Sequence, residues 1–287
     1  MPIVKTRIVL FFSVAVTTAL LTSACSGKTG DKHAIVAAFY PLAFAAEQIG
    51  GGTAVDNLTP PGAEPHDLEL SPGDVRRVID ARLVVYLGRG FQPALERALE
   101  QRSGPSVDVL KGQRLSTDPT GALDPHVWLD PVRFAVIAEA IAGALGDPAR
   151  AAPFVKRLKT LDAEFRRGLS QCRRSELVTT HAAFGYLAER YGLQQVPLTG
   201  LTPEVEPSAA DLASLVHEVE RSGATTIFTE PLVSPRLAET IAREAGITTA
   251  TLNPIEGLTG AQSDAGDDYF SLMRANLAAL RKALGCR

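Results

Sequence analysis

Short β-rich apolar runs alternate with helix-periodic segments along most of this chain, and that alternation limits its fold more than any other feature. Candidate strands are AIVAAFY (34–40), AVDNLTP (54–60), RLVVYLG (82–88), SVDVL (106–110), ELVTTH (176–181), ATTIFTE (224–230) and ITTATLN (247–253). Between them lie segments such as PLAFAAEQIGG, SPGDVRRVIDA and PSAADLASLVHEVERSG. Strands alternating with helices predict an α/β architecture with largely parallel sheets. Two helix starts are readable: Ser71 precedes Pro72 and Asp74, and Ser208 precedes Asp211, both capping patterns.

The alternation breaks once. From Pro153 to Leu169 the apolar positions are Phe154, Leu158, Leu161, Phe165 and Leu169, one stripe at helical spacing. Lys156, Arg157, Lys159, Asp162, Arg166 and Arg167 fill the other faces. A helix of about 20 residues spans roughly 30 Å at 1.5 Å per residue. Lying between two sets of strands, it reads as the connector of two α/β lobes. The expected division is a first lobe over 34–147, a connector over 148–172 and a second lobe over 173–287.

The first 33 residues read as targeting rather than fold. Lys5 and Arg7 begin an apolar stretch, Ile8–Leu21, too short for a membrane span, and LLTSAC ends it in small residues. Residues 1–24 are therefore expected to be an export signal. Cys25 stands where a lipobox cysteine would be lipidated, and 25–33 would form a tether. Thr22 departs from the lipobox pattern, which usually has Leu there. Loss of Lys5 and Arg7 takes the formal charge from -3 to -5. A mildly acidic domain argues against nucleic acid as partner. Two cysteines remain, Cys172 and Cys286, and an even pair in an exported protein is expected to form a disulfide.

Of five histidines, His33 falls in the tether and His217 beside Glu218 and Glu220 on a helix, both solvated positions. The other three share a setting. His66 follows the turn PPGAEPHD, His126 lies in the stiff link DPHVWLDP, and His181 ends LVTTH before a helical segment. Each falls between the carboxyl end of a strand and the next helix, the edge at which open parallel sheets bind ligands. Three converging neutral imidazoles suit zinc, and also copper, iron or nickel. No HExxH or CxxC motif ties two of them together locally.

GAEPHDLELSP, DPHVWLDP, THAAFGYLAERYGL and TPEVEPSAADL, in this order and spacing, resemble the high-affinity zinc-binding proteins of bacterial ABC importers. The likeness covers nearly all of the chain after Cys25, including YFSLMRANLAAL. It implies two lobes with mainly parallel four-stranded sheets flanked by helices, joined by one long rigid connector helix, with the metal between them. It also implies metal ligation by His66, His126 and His181, Zn²⁺ as the transported ligand, a membrane permease as partner, a lipid anchor and a monomer. Manganese-type relatives carry Glu at the position of His181, so histidine there favours zinc. Many zinc relatives insert a histidine-rich loop before DPH, absent after LSTDPTG in this chain.

The fourth ligand stays open. Relatives commonly carry Asp where this chain has Asn253, in TLNPIEGLT, so Asn253, Glu64 and a water are the candidates. Glu204, Glu206 and Glu230 are expected to orient ligands or to contact the permease rather than bind metal. The function expected is capture and delivery without covalent chemistry. The alternatives are a manganese- or iron-binding relative and an exported zinc hydrolase, for which Glu64 is the one local candidate base.

Overall fold

The computed structural model describes residues 34–118, 120–203 and 208–287 of the 287-residue chain. Strands β1 (Ile35–Ala37), β2 (Val55–Asn57), β3 (Leu83–Tyr86) and β4 (Ser106–Asp108) form one parallel sheet in the order β2-β1-β3-β4. The central pair IVA and LVVY is apolar throughout, as a parallel sheet covered on both faces requires. Val36 lies opposite Asp56 on one side and Val84 on the other. Helices α1 (Tyr40–Ile49), α2 (Pro72–Asp80), α3 (Pro93–Leu99) and α4 (Pro131–Ala144) flank it. The Ser71 capping box is present, with Asp74 N bonded to the serine hydroxyl and Ser71 N to the aspartate carboxylate.

Helix α5 (Ala152–Leu169) follows, about 27 Å long at 1.5 Å per residue. Its whole expected stripe, Phe154, Leu158, Leu161, Phe165 and Leu169, is buried. Beyond it, β5 (Glu176–Thr179), β6 (Gln194–Pro197), β7 (Thr226–Thr229) and β8 (Thr248–Thr251) form a second parallel sheet in the order β6-β5-β7-β8. Around it stand α6 (Gly185–Tyr191), α7 (Ala209–Ser222), α8 (Arg236–Glu244), α9 (Gly260–Ala265) and α10 (Tyr269–Leu284). The sequence pattern missed β6. Its residues, QQVP, are exposed or half-buried at the sheet edge, and two glutamines and a proline carry no apolar alternation.

Burial does not follow the two sheets. One large core joins β1, β3, α1, α4 and α5 to the aromatic start of α10. Phe270 packs 6.0 Å from Phe44 and 5.7 Å from Phe154, and Tyr269 lies 4.6 Å from Phe134. The last helix thus returns to the first lobe, and each large aromatic it buries there contributes about 1.5–3 kcal/mol of transfer free energy. A smaller core, with Val178, Leu198, Val219, Ile227 and Ile241, serves the outer part of the second sheet. Cys172 and Cys286 are bonded, joining the end of α5 to the end of α10 across 114 residues of sequence. Among the described residues no helix is long and apolar enough to cross a membrane. The expected export signal over 1–24, Cys25 and His33 lie outside the described residues.

Candidate metal centre

Four turns at the carboxyl ends of the strands meet between the sheets, and each is shaped by a local rule. The first two begin with the same three-residue pattern, an acid, a proline and a histidine. In Glu64-Pro65-His66 the proline starts a single 3₁₀ turn, and Glu64 caps it by accepting from His66 N at 3.3 Å. In Asp124-Pro125-His126 the carboxylate of Asp124 accepts from His126 N at 2.9 Å and also meets the ring Nδ1 at 2.8 Å. Asp130 then caps α4 by accepting from Val132 N, with Pro131 in the first turn as proline's fixed φ allows.

His181 lies two residues past the end of β5 in extended backbone, φ -130° and ψ 175°, ahead of a short 3₁₀ turn. Its Nδ1 faces Glu230, just past β7, at 2.8 and 2.7 Å to the two carboxylate oxygens. The fourth turn, after β8, holds Ile255 at φ +57°, a strained conformation for a β-branched residue. Asn253 pins it by accepting from Ile255 N at 2.7 Å, and Asn276 of α10 clamps Asn253 through both backbone groups, at 2.8 and 2.7 Å. The result is that Glu256 points at the histidines.

Glu256 Oε1 lies 3.2 Å from His66 Nε2, 3.2 Å from His126 Nε2 and 3.6 Å from His181 Nε2. One atom from each of the four residues falls within 4.8 Å of the other three. Zn–N bonds of 2.0–2.1 Å in a tetrahedron put ligand atoms about 3.4 Å apart, so side-chain shifts of about 1 Å suffice for such a centre. A proton held on Nδ1 by Asp124 or Glu230 leaves Nε2 as the lone-pair donor, the tautomer a metal needs. His181 Nε2 is buried and has no hydrogen-bond partner.

The electrostatics run the same way. Burial raises the Glu256 carboxyl, yet its contacts with His126, His181 and His66 outweigh burial and hold it well below the usual carboxylate range. Burial lowers His126, but Asp124 and Glu256 reverse that and raise it above an ordinary histidine. For His181, Glu230 and Glu256 overcome burial and raise the imidazole to about 10. Glu64 is pushed up to about 8, first by burial and then by the charge of Glu256. The carboxylates around His126 and His181 thus stabilise positive charge at this point, carried by protons on the rings while no metal is bound.

The structure brings His66, His126 and His181 together as the sequence led one to expect, but not Asn253. Its amide oxygen is engaged by Ile255 N in the strained turn, and the acid that converges on the histidines is Glu256, three residues further on. Glu64 sits beside the cluster, with Oε2 buried and unpartnered. Glu230 contacts a histidine; Glu204 and Glu206 lie outside the described residues. His217 is exposed on α7 and meets Glu220 at 3.2 Å. Sequence reasoning missed Glu256 and Asp124. The repeated acid-Pro-His pattern was the signal for Asp124, whereas Glu256 depends on a positive φ at isoleucine that no residue pattern announces.

The cluster is joined across the sheets by further bonds. Tyr186 Oη of α6 donates to Asp124 O at 2.9 Å, and Trp128 Nε1 donates to Pro254 O at 2.7 Å. Tyr269 Oη donates to Trp128 O at 2.7 Å, Gly62 N donates to Leu258 O at 2.7 Å, and Arg190 pairs with the buried Asp130.

The family model described as ZnuA, zinc-uptake complex component A periplasmic, matches residues 35–283. The zinc-binding protein AdcA of Streptococcus pyogenes is 34% identical over 297 aligned residues, covering 91% of this chain and 58% of that protein. The chain therefore spans little more than half the length of that streptococcal relative. The high-affinity zinc uptake system protein ZnuA of Bacillus subtilis is 33% identical, with 92% of this chain and 94% of that protein covered. The solved Zn(II)-bound ZnuA-like domain of Streptococcus pneumoniae AdcA is similar at a TM-score of 0.75 and 37% identity, covering 88% of this chain and 98% of that domain. A match that runs from the first strand into α10 and includes all four converging side chains carries the conclusion: the chain belongs to the ZnuA family of periplasmic zinc-uptake components.

Proposed function

We propose that this protein is the extracytoplasmic zinc-binding component of an ABC importer, which captures Zn²⁺ between its lobes and hands it to a membrane permease. The observation that carries the reading is the meeting of His66, His126, His181 and Glu256 from both lobes at one buried point. In this reading those four are the ligands, with Asp124 and Glu230 holding two of the rings in register. Imidazole-rich donors favour zinc over manganese, which prefers oxygen. The lobes are 34–147 and 173–287 with 148–172 as connector. Residues 1–24 are a signal, and Cys25 is a lipid anchor on the tether 25–33. The protein acts as a monomer that binds and releases without catalysis. Delivery to a permease follows from family membership and from relatives named for zinc uptake.

A zinc hydrolase would need an ionised base beside the metal. Glu64 is the one acid placed for that role, and the family match to zinc-uptake components rather than hydrolases favours binding and release. Metal titration under chelator competition tests the proposal. The parent is expected to bind one Zn²⁺ per chain and to prefer it to Mn²⁺ and Fe²⁺. His66→Ala, His126→Ala, His181→Ala and Glu256→Ala are each expected to lose well over tenfold in affinity, about 1.4 kcal/mol or more. Parent-like binding by His181→Ala or Glu256→Ala would show that the ion sits elsewhere.

A further inference from the structure

A cavity of about 650 Å³ adjoins the cluster, within the range of small-molecule sites. Among its lining residues only His66 belongs to the four converging side chains. His66 is also the most accessible of them, with its side chain 8% exposed against 0% for His126 and His181 and 1% for Glu256. Phe91 stacks edge-on to the His66 ring at 4.7 Å, and with Leu123 and Leu201 it makes the cavity wall largely apolar. Two charges of opposite sign share that wall, Asp67 and Arg89. Arg89 holds φ +68°, a conformation non-glycine residues rarely adopt and one that concentrates at ligand clamps. Both lobes contribute, since Leu201 and Thr202 follow β6 in the second sheet and the other lining residues flank the first.

An apolar recess with one cation and one anion, opening onto the least buried imidazole of the cluster, matches a particular ligand chemistry. We infer that this cavity binds a small α-amino-acid chelator of zinc, with its carboxylate on Arg89, its side chain against Phe91 and Leu123, and its metal-binding atoms toward His66. Zinc tolerates a fifth ligand transiently, so a chelator seated here exchanges the ion by associative substitution at the His66 side. His126, His181 and Glu256, buried deeper, let go last. The inference rests on the proposed zinc-binding function and adds to it a route and a class of co-ligand.

The test is kinetic. Zinc-loaded protein is mixed with a fixed excess of a chromogenic zinc scavenger, and L-histidine is added in increasing amounts. The rate of zinc loss is expected to climb in proportion to L-histidine, by tenfold or more. Imidazole, which lacks the carboxylate, is expected to be much less effective. Leu123→Trp, which fills the cavity, and Arg89→Glu, on an exposed side chain, are expected to abolish most of the acceleration. Both should keep the parent's equilibrium zinc affinity in chelator competition. A rate independent of L-histidine, or acceleration equal in parent and both variants, overturns the inference while leaving the zinc site intact. A parent that takes up no zinc in the equilibrium titration overturns the proposed function and this inference with it.

Discussion

The two acid-Pro-His turns begin alike and end differently. At Asp124-Pro125-His126 the short aspartate reaches both the backbone N–H and the ring Nδ1 of the histidine two residues on. At Glu64-Pro65-His66 the glutamate, one methylene longer, caps the same backbone N–H but leaves Oε2 buried without a partner. His126 is sealed against Trp128, while His66 borders a cavity. A difference of one CH₂ therefore separates a fixed imidazole from an accessible one. A deep site that must also release its ion needs both kinds: braced rings give affinity, and a less constrained ring gives a way in and out.

The largest effect that could break this contrast is that of pH. In the zinc-free protein His126 is raised above an ordinary histidine, and His181 is raised to about 10. The His181 ring holds a proton at neutrality that zinc must expel, so affinity is expected to rise by about tenfold per pH unit from pH 7 to beyond pH 8. Folding stability of the zinc-free protein has the opposite sign. Histidines whose folded pKa is raised stabilise the fold fully below their unfolded value of about 6.5, and that stability is lost as pH rises through the folded values. Zinc should then raise the melting temperature more at pH 9 than at pH 6. Affinity that levels off above pH 7 would mean that the carboxylates do not hold this proton.

Next come the braces themselves. Asp124→Ala is expected to cost 10- to 100-fold in zinc affinity, as loss of a carboxylate behind a metal-bound imidazole usually does, and to make the pH dependence less steep. Glu64→Ala, removing an acid that braces no ring, should change affinity by about threefold at most, roughly 0.7 kcal/mol. Equal losses in isothermal titrations of the two variants would erase the distinction. The smallest effect sharpens it. Glu64→Asp shortens the first turn's acid to match the second; if reach is the cause, His66 becomes braced and zinc leaves more slowly, by about two- to fivefold, equivalent to roughly 0.4–1 kcal/mol. Unchanged dissociation in that variant would put the difference in the surroundings rather than in the side chain.

Most of the fold was legible because it rests on patterns with a period. The stripe from Phe154 to Leu169 and the apolar runs at β1 and β3 state their burial directly. The return of α10 to the first lobe was not legible, because an amphipathic helix announces which face is apolar but not which partner it covers. The same limit explains the site. His66, His126 and His181 could be placed at strand ends from sequence, and Asp124 lay within two residues of one of them. Glu256 could not, since choosing between it and Asn253 turns on the backbone of Ile255, where tertiary clamping by Asn276 overrides what isoleucine prefers alone.

The single tryptophan of the chain gives the molecule its own optical reporter. The Trp128 ring is fully buried, its centroid lies 5.2 Å from that of His126, and its N–H is tied to the carbonyl two residues ahead of Glu256. A protonated imidazole at such range quenches indole emission, whereas an imidazole whose lone pair is committed elsewhere does so far less. Occupancy of the centre should therefore be readable as brightness, without a dye or a label, and with no second indole to blur the signal.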